Sequence, residues 1–263
     1  MDRDRDMATG QDRDLQRRLA DAFDATVTAG EGGVGIAAPV EAGYIDTIAT
    51  NLRNATITGA SEPALAPSPP AAVTRFLPDL LADMKSSPLA VLLKPLAPRL
   101  DWYQIFDQGY APESLSNGMM AGQLIGGRGL LRSAEQYFGL FLVAPQITYP
   151  LHQHAALEIY CVLSGEIFIR HGREKQAMHI TAGGHSVTPP YQVHEVQTGD
   201  SACLMAYSWT GELVGENWWW EEQTDGSWDR ICWRRMSDSS WELAEREKLD
   251  DREITRANDR QAP

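Results

Sequence analysis

The stretch TYPLHQHAALEIYCVLSGE, residues 148–166, decides how this chain folds and what it can bind. Four chemically active side chains lie within nine residues of it, at His152, His154, Glu158 and Tyr160. All four positions are even-numbered, so along one pleated strand they would share a face. A straight strand would separate His154 and Glu158 by about 13 Å, whereas each ligand of a metal ion approaches it to about 2 Å. The chain therefore has to bend between these two residues if both bind one ion.

A third histidine follows in the stretch GGHSVTPPYQVHEV, residues 183–196, in which Pro189 and Pro190 end one strand and His194 lies in the next run. Three imidazoles and a carboxylate suit a divalent transition metal with open positions for water or substrate. Zn, Fe, Mn, Co and Ni all accept these ligands, so metal identity stays open. The alternatives are a purely structural cluster of histidines, or polar side chains along a solvent-facing strand.

Short β-rich runs separated by turn residues surround these two stretches, which is typical of an all-β sandwich or barrel. The runs are Met119–Ile125, Tyr137–Ala144, Glu158–Leu163, Glu166–His171, Ala177–Ile180, Val193–Gln197 and Ala202–Trp209. Ser164 and Gly165, between two apolar runs, predict a tight hairpin. The core of the chain is therefore predicted to be a small β-barrel.

The N-terminal part of the chain predicts helices instead. Apolar residues favour a helix in four segments, Leu15–Val27, Val40–Leu52, Val73–Met84 and Pro88–Leu93. The proline-rich residues 64–72 predict an extended connector. Residues 1–16 alternate Asp with Arg and have almost no apolar surface to bury, which predicts disorder.

The C-terminal residues 216–263 form a polar extension studded with tryptophan. Trp218–Trp220 is interpreted as a cap on one barrel end, or as a subunit contact, rather than as a ligand site. The charged segment from Trp241 to Arg256 predicts one solvated helix, packed by Trp241 and Leu243. The chain then divides into a lead-in, a helical region, a barrel and an extension, at residues 1–16, 17–115, 116–215 and 216–263.

Composition excludes several classes of protein. The chain has 263 residues with 23 Lys and Arg against 36 Asp and Glu, a formal net charge of −13, which argues against nucleic-acid binding. No window approaches the roughly 18 apolar residues of a membrane span, and the start MDRDRDM lacks the apolar segment of an export signal. The three cysteines, Cys161, Cys203 and Cys232, are far apart and predict free thiols. We therefore expect a cytoplasmic protein.

The two histidine stretches resemble the two motifs of the cupin superfamily. The first motif is matched by His152, His154, Glu158 and Gly165, and the second by Gly183, Pro189 and His194. Two glycines of the pattern are replaced, by Gln146 and Tyr191, which affects only the local turns. The resemblance covers about residues 119–213 and implies a mainly β fold, the double-stranded β-helix or jelly-roll barrel. Cupins include isomerases, dioxygenases, decarboxylases, lyases and non-catalytic sensors, so the fold leaves function open.

Finer features are similar to the bacterial dimethylsulfoniopropionate lyases of the cupin type. These features are Tyr149-Pro150 before the histidines, Tyr160 two residues after Glu158, the preceding helical region, and Trp209 fifteen residues after His194. The resemblance implies a carbon–sulfur lyase that cleaves dimethylsulfoniopropionate to acrylate and dimethyl sulfide by β-elimination. It implies His152, His154, Glu158 and His194 as metal ligands, and Tyr160 or Tyr149 as the base.

The substrate chemistry adds one expectation, which is that aromatic faces hold the sulfonium by cation–π attraction, with Trp209 as the candidate. Each residue also has a structural interpretation, since Tyr160 and Tyr149 suit a strand and Trp209 suits a core. The other histidines, His171, His179 and His185, are interpreted as surface or structural. A dioxygenase or isomerase on another small carboxylate, or a cupin sensor, are the alternative functions. Cupin barrels often pair, so a homodimer is one expected state.

Overall fold

The computed structural model describes residues 8–30, 38–58, 69–106, 111–173, 175–213, 216–235 and 241–257, apart from the side chains of Ala38, Arg235 and Trp241. Within them the helices are α1 (Gly10–Ala29), α2 (Ala38–Asn54), α3 (Ala71–Ala82), α4 (Pro88–Leu93), α5 (Glu113–Gly118) and α6 (Asp251–Ala257). The strands are β1 (Trp102–Gln104), β2 (Met119–Ile125), β3 (Gln136–Val143), β4 (Thr148–Gln153), β5 (Leu157–Ser164), β6 (Glu166–His171), β7 (Met178–Thr181), β8 (His185–Thr188), β9 (His194–Gln197), β10 (Cys203–Thr210), β11 (Glu216–Glu222), β12 (Trp228–Arg235) and β13 (Trp241–Lys248).

Two antiparallel sheets face each other and enclose the barrel interior. One sheet has the strand order β1-β2-β3-β10-β5-β8, and the other has the order β13-β12-β11-β4-β9-β6-β7. Non-consecutive strands lie side by side, so the connections cross between the sheets as in a jelly roll. The predicted β-barrel and all seven predicted runs are confirmed, with ends shifted by one residue at most.

The N-terminal helices cover the outer face of the first sheet, which is therefore buried on both sides. In β5, Leu157, Ile159, Cys161 and Leu163 pack in the helical core with Phe23 and other helix residues. The alternate positions, which include Tyr160 and Val162, pack inside the barrel. This alternation explains why Glu158 and Tyr160, the even-numbered residues of the motif that lie on β5, point to the same side of the strand.

The helix predictions for the N-terminal region are confirmed, but α1 begins earlier than expected. Thr9 caps the helix, and its side chain and that of Asp12 form a reciprocal capping box. The prediction of disorder through residue 16 is therefore wrong from residue 10 onward. Residues 1–7 and most of the predicted connector at 64–72 lie outside the described residues.

The helix predicted from Trp241 to Arg256 is wrong, since the first half of this segment is β13, and α6 begins only at Asp251. β11, β12 and β13 extend the second sheet as a meander. Cross-strand ion pairs account for the charged sequence, because Arg246 lies 3.2 Å from Glu221 and 3.1 Å from Asp229. Leu243, expected to pack, is 54% exposed.

The hairpin predicted at Ser164 and Gly165 is also wrong, because the strands that it joins belong to different sheets. The turn itself is present, and Gly165 has a φ of +78°. A Cβ atom at this position would collide with the carbonyl oxygen of Ala202, so the crossing between the sheets needs glycine.

The three cysteines are buried and form no disulfide, as predicted. Burial raises the pKa of Cys161 to about 12, so its side chain is an unreactive thiol at neutral pH. Among the described residues, no helix has the length and apolar character that crossing a bilayer requires.

Candidate metal centre and active site

Three strands and one bend bring the predicted ligands together. His152 lies on β4 and pairs directly with His194 on β9. β4 ends at Gln153 and β5 begins at Leu157, so the chain bends between His154 and Glu158, as the distance argument required. All four side chains are buried, with at most 3% of the surface exposed.

The three histidines have the same hydrogen-bonding pattern. The Nδ1 atoms of His152, His154 and His194 lie 2.7, 3.1 and 2.9 Å from the backbone carbonyl oxygens of Pro150, Ala156 and Gln192, respectively. A carbonyl oxygen only accepts, so each Nδ1 carries a proton and donates it. The Nε2 atom of each ring is therefore left as the nitrogen that could bind a metal ion.

The three histidine rings bring one nitrogen each close together, and Glu158 approaches two of these rings. One nitrogen from each of the three rings lies within 4.8 Å of the others. The Oε2 atom of Glu158 lies 3.2 Å from Nε2 of His194 and 3.6 Å from Nε2 of His154, and none of these three buried atoms has a hydrogen-bond partner. Lone pairs that face each other at this distance repel, so either a proton or a metal ion must lie between them. The arrangement therefore fits a divalent metal ion held by the three histidines, with Glu158, which lies beside His194 and His154, as the fourth candidate ligand.

Burial and neighbouring side chains together set the pKa values of His152 and Glu158. Burial, together with the neighbouring His194 and His154, holds the pKa of His152 well below 6.5, so its ring is neutral at pH 7. Burial alone would raise the pKa of Glu158, but His154 and His194 outweigh it and hold that pKa well below 4.5. At neutral pH the site thus offers the unprotonated ring of His152 and an ionised carboxylate, which are forms that metals bind.

A cavity of about 710 Å³ opens beside His154 and Glu158. Six tyrosines line it: Tyr103, Tyr137, Tyr149, Tyr160, Tyr191 and Tyr207. Two of them are the tyrosines predicted to act as bases. A small organic ligand bound here would meet the candidate metal position on one side and aromatic rings on the others.

Tyr160 lies two residues from Glu158 on the same inner face of β5. Burial, followed by the negative charge of Glu158, raises the pKa of Tyr160 well above 10. These protein groups by themselves keep the phenol protonated at neutral pH, so a nearby positive charge is needed before Tyr160 can accept a proton.

Tyr149 reaches the same cavity although its position is odd-numbered. The register between β4 and β9 shifts between Tyr149 and His152, so both side chains point inward and their rings stack with centroids 3.7 Å apart. The hydroxyl of Tyr149 accepts a hydrogen bond from Nδ2 of Asn217 at 3.3 Å, and burial raises its pKa above 10. Both tyrosines are therefore placed beside the histidine cluster.

Trp209 has a role that the sequence did not suggest. It pairs across the strands with Glu158, and its indole N–H donates a hydrogen bond to Oε1 of that carboxylate. Its ring lies 4.3 Å from the ring of His154, centroid to centroid, while part of it lines the cavity. Trp209 thus orients one candidate ligand, Glu158, and packs on another, His154, and the sulfonium contact stays a prediction.

Replacing Trp209 by phenylalanine separates the hydrogen bond to Glu158 from the predicted sulfonium contact. Phenylalanine keeps an aromatic face but donates no hydrogen bond. We expect the metal affinity of Trp209→Phe to fall by about 10- to 100-fold, as for other groups that orient metal ligands. Competition with a chelator measures this affinity. Trp102→Phe is the matched control, because the Trp102 indole donates to Ala97 and its ring packs in the helical core and does not line the cavity. Unchanged metal affinity together with a higher KM would leave only the substrate contact.

The C-terminal extension contributes to the cavity, which the sequence did not predict. β11 pairs with β4, and Trp219 lies directly opposite His152. Trp219 packs in the barrel interior, whereas Trp218 and Asn217 line the cavity. The three tryptophans belong to a buried strand within the sheet, so the prediction of a barrel cap or subunit contact is wrong. Only the pairing of β11 with β4 could reveal this.

The remaining histidines stay outside the cluster. His171 and His185 are buried, so only the structural interpretation fits them, whereas His179 is largely exposed and pairs with Glu166 at 2.8 Å. His171 ends β6 directly opposite His194, and its Nε2 lies 3.0 Å from Oγ1 of Thr188. His171 therefore packs behind the candidate ligands.

A jelly-roll barrel with a His-His-Glu-His cluster on its inner strands defines a cupin with a candidate metal centre. The family model described as dimethylsulfoniopropionate lyase matches residues 45–205, well over half of the chain. The chain belongs to the dimethylsulfoniopropionate lyase family.

Individual relatives agree with this assignment. A putative dimethylsulfoniopropionate lyase, DddL of Cereibacter sphaeroides, is 31% identical over 121 residues, which cover 45% of this chain and 49% of the relative. The chain thus matches about half the length of that curated relative. The crystal structure of the dimethylsulfoniopropionate lyase DddQ from Ruegeria pomeroyi is similar, with a TM-score of 0.52 and 17% identity over 69% of this chain and 96% of DddQ.

A second solved structure, reported with the dimethylsulfoniopropionate lyases RdDddP and RnDddQII, has a TM-score of 0.51 and 18% identity. The similarity covers 77% of this chain and 97% of that one. At this level of identity both likenesses concern the fold.

Proposed function

We propose that this protein is a metal-dependent lyase that cleaves dimethylsulfoniopropionate to acrylate and dimethyl sulfide by β-elimination. The observation that carries the proposal is the convergence of one ring nitrogen from each of His152, His154 and His194, with Glu158 beside two of them, next to a cavity that Tyr160 lines. Membership of the lyase family supports the choice of substrate. The proposed ligands are His152, His154, Glu158 and His194.

A bound divalent cation supplies Lewis acidity toward the substrate carboxylate and a positive charge that lowers the pKa of a neighbouring phenol. The proposed base, Tyr160, takes the proton from the carbon next to the carboxylate. The electron pair of that C–H bond forms the double bond of acrylate, while the C–S bond breaks and dimethyl sulfide leaves with its electrons. Tyr149, stacked on His152, is the alternative base.

The protein supplies the rest of the chemistry by position. Trp209 keeps Glu158 oriented, and the aromatic lining excludes water from the reacting carbon. Tyrosine and tryptophan faces suit a sulfonium, which accepts no strong hydrogen bond and carries no acidic proton on sulfur.

The direct test is headspace gas chromatography after mixing purified, metal-analysed protein with dimethylsulfoniopropionate. We expect dimethyl sulfide and acrylate in equal amounts, and their loss after chelation. A clean blank with metal loaded contradicts the proposal. Substrate binding without product would instead favour a cupin sensor, and turnover of another small carboxylate would favour a dioxygenase or isomerase.

The cytoplasmic location and the homodimer stay predictions. Light scattering during size-exclusion chromatography measures the oligomeric state. Metal analysis of protein purified without added metal identifies the ion among Zn, Fe, Mn, Co and Ni, which the ligand types alone do not distinguish.

A further inference from the structure

Tyr191 occupies a backbone position that suits glycine. It is the third residue of a turn closed by a hydrogen bond from the N–H of Gln192 to the carbonyl of Pro189, at 3.1 Å. Its φ is +60°, in the left-handed region, where the Cβ of a bulky residue crowds the backbone. This is the position at which the second cupin motif has glycine. A tyrosine here carries backbone strain that glycine would avoid.

The strained turn holds the Tyr191 side chain at the cavity. Tyr191 lines the cavity together with His154 and Glu158, yet half of its surface is exposed, so it lies at the mouth. The Tyr191 N–H donates to the carbonyl of His154 at 2.7 Å, which fixes the turn to a candidate ligand segment. Strain of this kind persists mainly where it serves function.

The ring of Tyr191 is available to a ligand, whereas that of Trp209 is partly engaged. Trp209 packs on His154 and donates to Glu158. Among the residues that the structure describes, no aromatic ring stacks on Tyr191. An exposed, unstacked ring at a cavity mouth presents a free face.

The charges lining the cavity favour a cationic ligand group near this mouth. Glu216 and Arg234 pair with each other at 3.1 Å and offset one another. Glu158 and Glu212 also line the cavity, and within the described part of the chain no ion pair holds Glu212. A bound metal ion would neutralise Glu158, so the negative charge that the lining keeps for a cationic ligand is that of Glu212.

We propose that Tyr191 selects the substrate by presenting its ring to a sulfonium group at the cavity mouth. This inference rests on the proposed function and adds to it the residue that distinguishes a cationic substrate from an uncharged one. Tyr191 contacts substrate in this proposal but takes no part in proton transfer.

The test compares Tyr191→Gly and Tyr191→Phe with the matched variant Gln146→Gly. Gln146 also has a left-handed φ, of +57°, but does not line the cavity. Calorimetry on metal-loaded protein that also carries Tyr160→Phe measures the Kd of dimethylsulfoniopropionate and of 3-(methylthio)propionate. The second compound keeps the carboxylate and the sulfur but lacks the positive charge.

We expect Tyr191→Gly to weaken binding of the sulfonium about tenfold and to leave the uncharged thioether unchanged. Tyr191→Phe and Gln146→Gly should bind both compounds like the parent. Both glycine variants should keep the parent's thermal midpoint or exceed it, because relief of left-handed strain offsets the greater freedom of glycine.

Three outcomes overturn this inference: an unchanged sulfonium Kd in Tyr191→Gly, an equal loss for both compounds, or a changed oligomeric state with unchanged binding. The last would make Tyr191 a subunit contact. Failure of the proposed function is recognised separately, since the otherwise wild-type protein would then release no dimethyl sulfide.

Discussion

Replacing His194 by alanine is expected to abolish metal binding and, with it, the release of dimethyl sulfide. His194 is fully buried, and its ring lies 3.9 Å from that of His152, centroid to centroid. Without His194, only His152, His154 and Glu158 remain as candidate ligands. Because loss of a group that merely orients a ligand costs about 10- to 100-fold in affinity, we expect a larger loss here.

The measurement is metal content per chain after dialysis, by mass spectrometry, together with the thermal midpoint. Wild-type protein should retain about one ion per chain and should melt at lower temperature after chelation, because an ion that binds only the folded state stabilises it. His179→Ala is the control, since His179 is exposed and outside the cluster. Normal metal content in His194→Ala would support the purely structural interpretation of the histidines.

Replacing Tyr160 by phenylalanine is expected to leave the metal in place and to lower kcat by about 10²- to 10⁴-fold, the usual contribution of a general base. Phenylalanine preserves the packing against Phe141, whose ring centroid lies 5.8 Å away, so the fold should tolerate the change. Only the hydroxyl that faces Glu158 and the cavity is removed. Initial rates of dimethyl sulfide release at saturating substrate measure the effect.

The same substitution at Tyr149 decides which tyrosine is the base. If Tyr149 abstracts the proton, Tyr149→Phe shows the large loss in kcat, and Tyr160→Phe shows a small one. Tyr44→Phe serves as the control, because Tyr44 belongs to α2 and packs against the helical core. Full activity in both cavity variants would contradict a tyrosine base and would favour the dioxygenase or isomerase alternative.

Residues close together in sequence could be assigned to the site directly. His152, His154 and Glu158 fall within one motif, and the distance between strand positions required the bend that β4 and β5 form. His194 could be added because the second motif has a fixed spacing. The alternation in β5 also predicted which side chains share the barrel interior, since strand periodicity is local.

Contacts between distant segments could not be assigned in this way. The register shift that turns Tyr149 inward depends on how β4 pairs with β9. The contribution of Asn217 and Trp218 to the cavity depends on β11 extending the second sheet. The hydrogen bond from Trp209 to Glu158 depends on the register between β10 and β5.

The charged residues of β13 show why the local sequence pattern gave the wrong prediction of a helix. Its charges can pair along a helix or across strands, and only the exposed edge of β12 selects the second option. At Gln146 and Tyr191 the sequence lacks the two glycines of the cupin pattern. The backbone of both turns is nevertheless left-handed. There the surrounding hydrogen bonds outweigh local preference.

The amino-acid sequence alone thus predicted the barrel, the N-terminal helices and the identity of the candidate ligands, because periodicity and motif spacing are properties of neighbouring residues. Tertiary structure alone decided how the histidine rings converge, that Tyr149 points inward, and that the C-terminal strand β11 lines the cavity. These features depend on strand pairing over long sequence separations, and register is fixed only when the whole sheet forms.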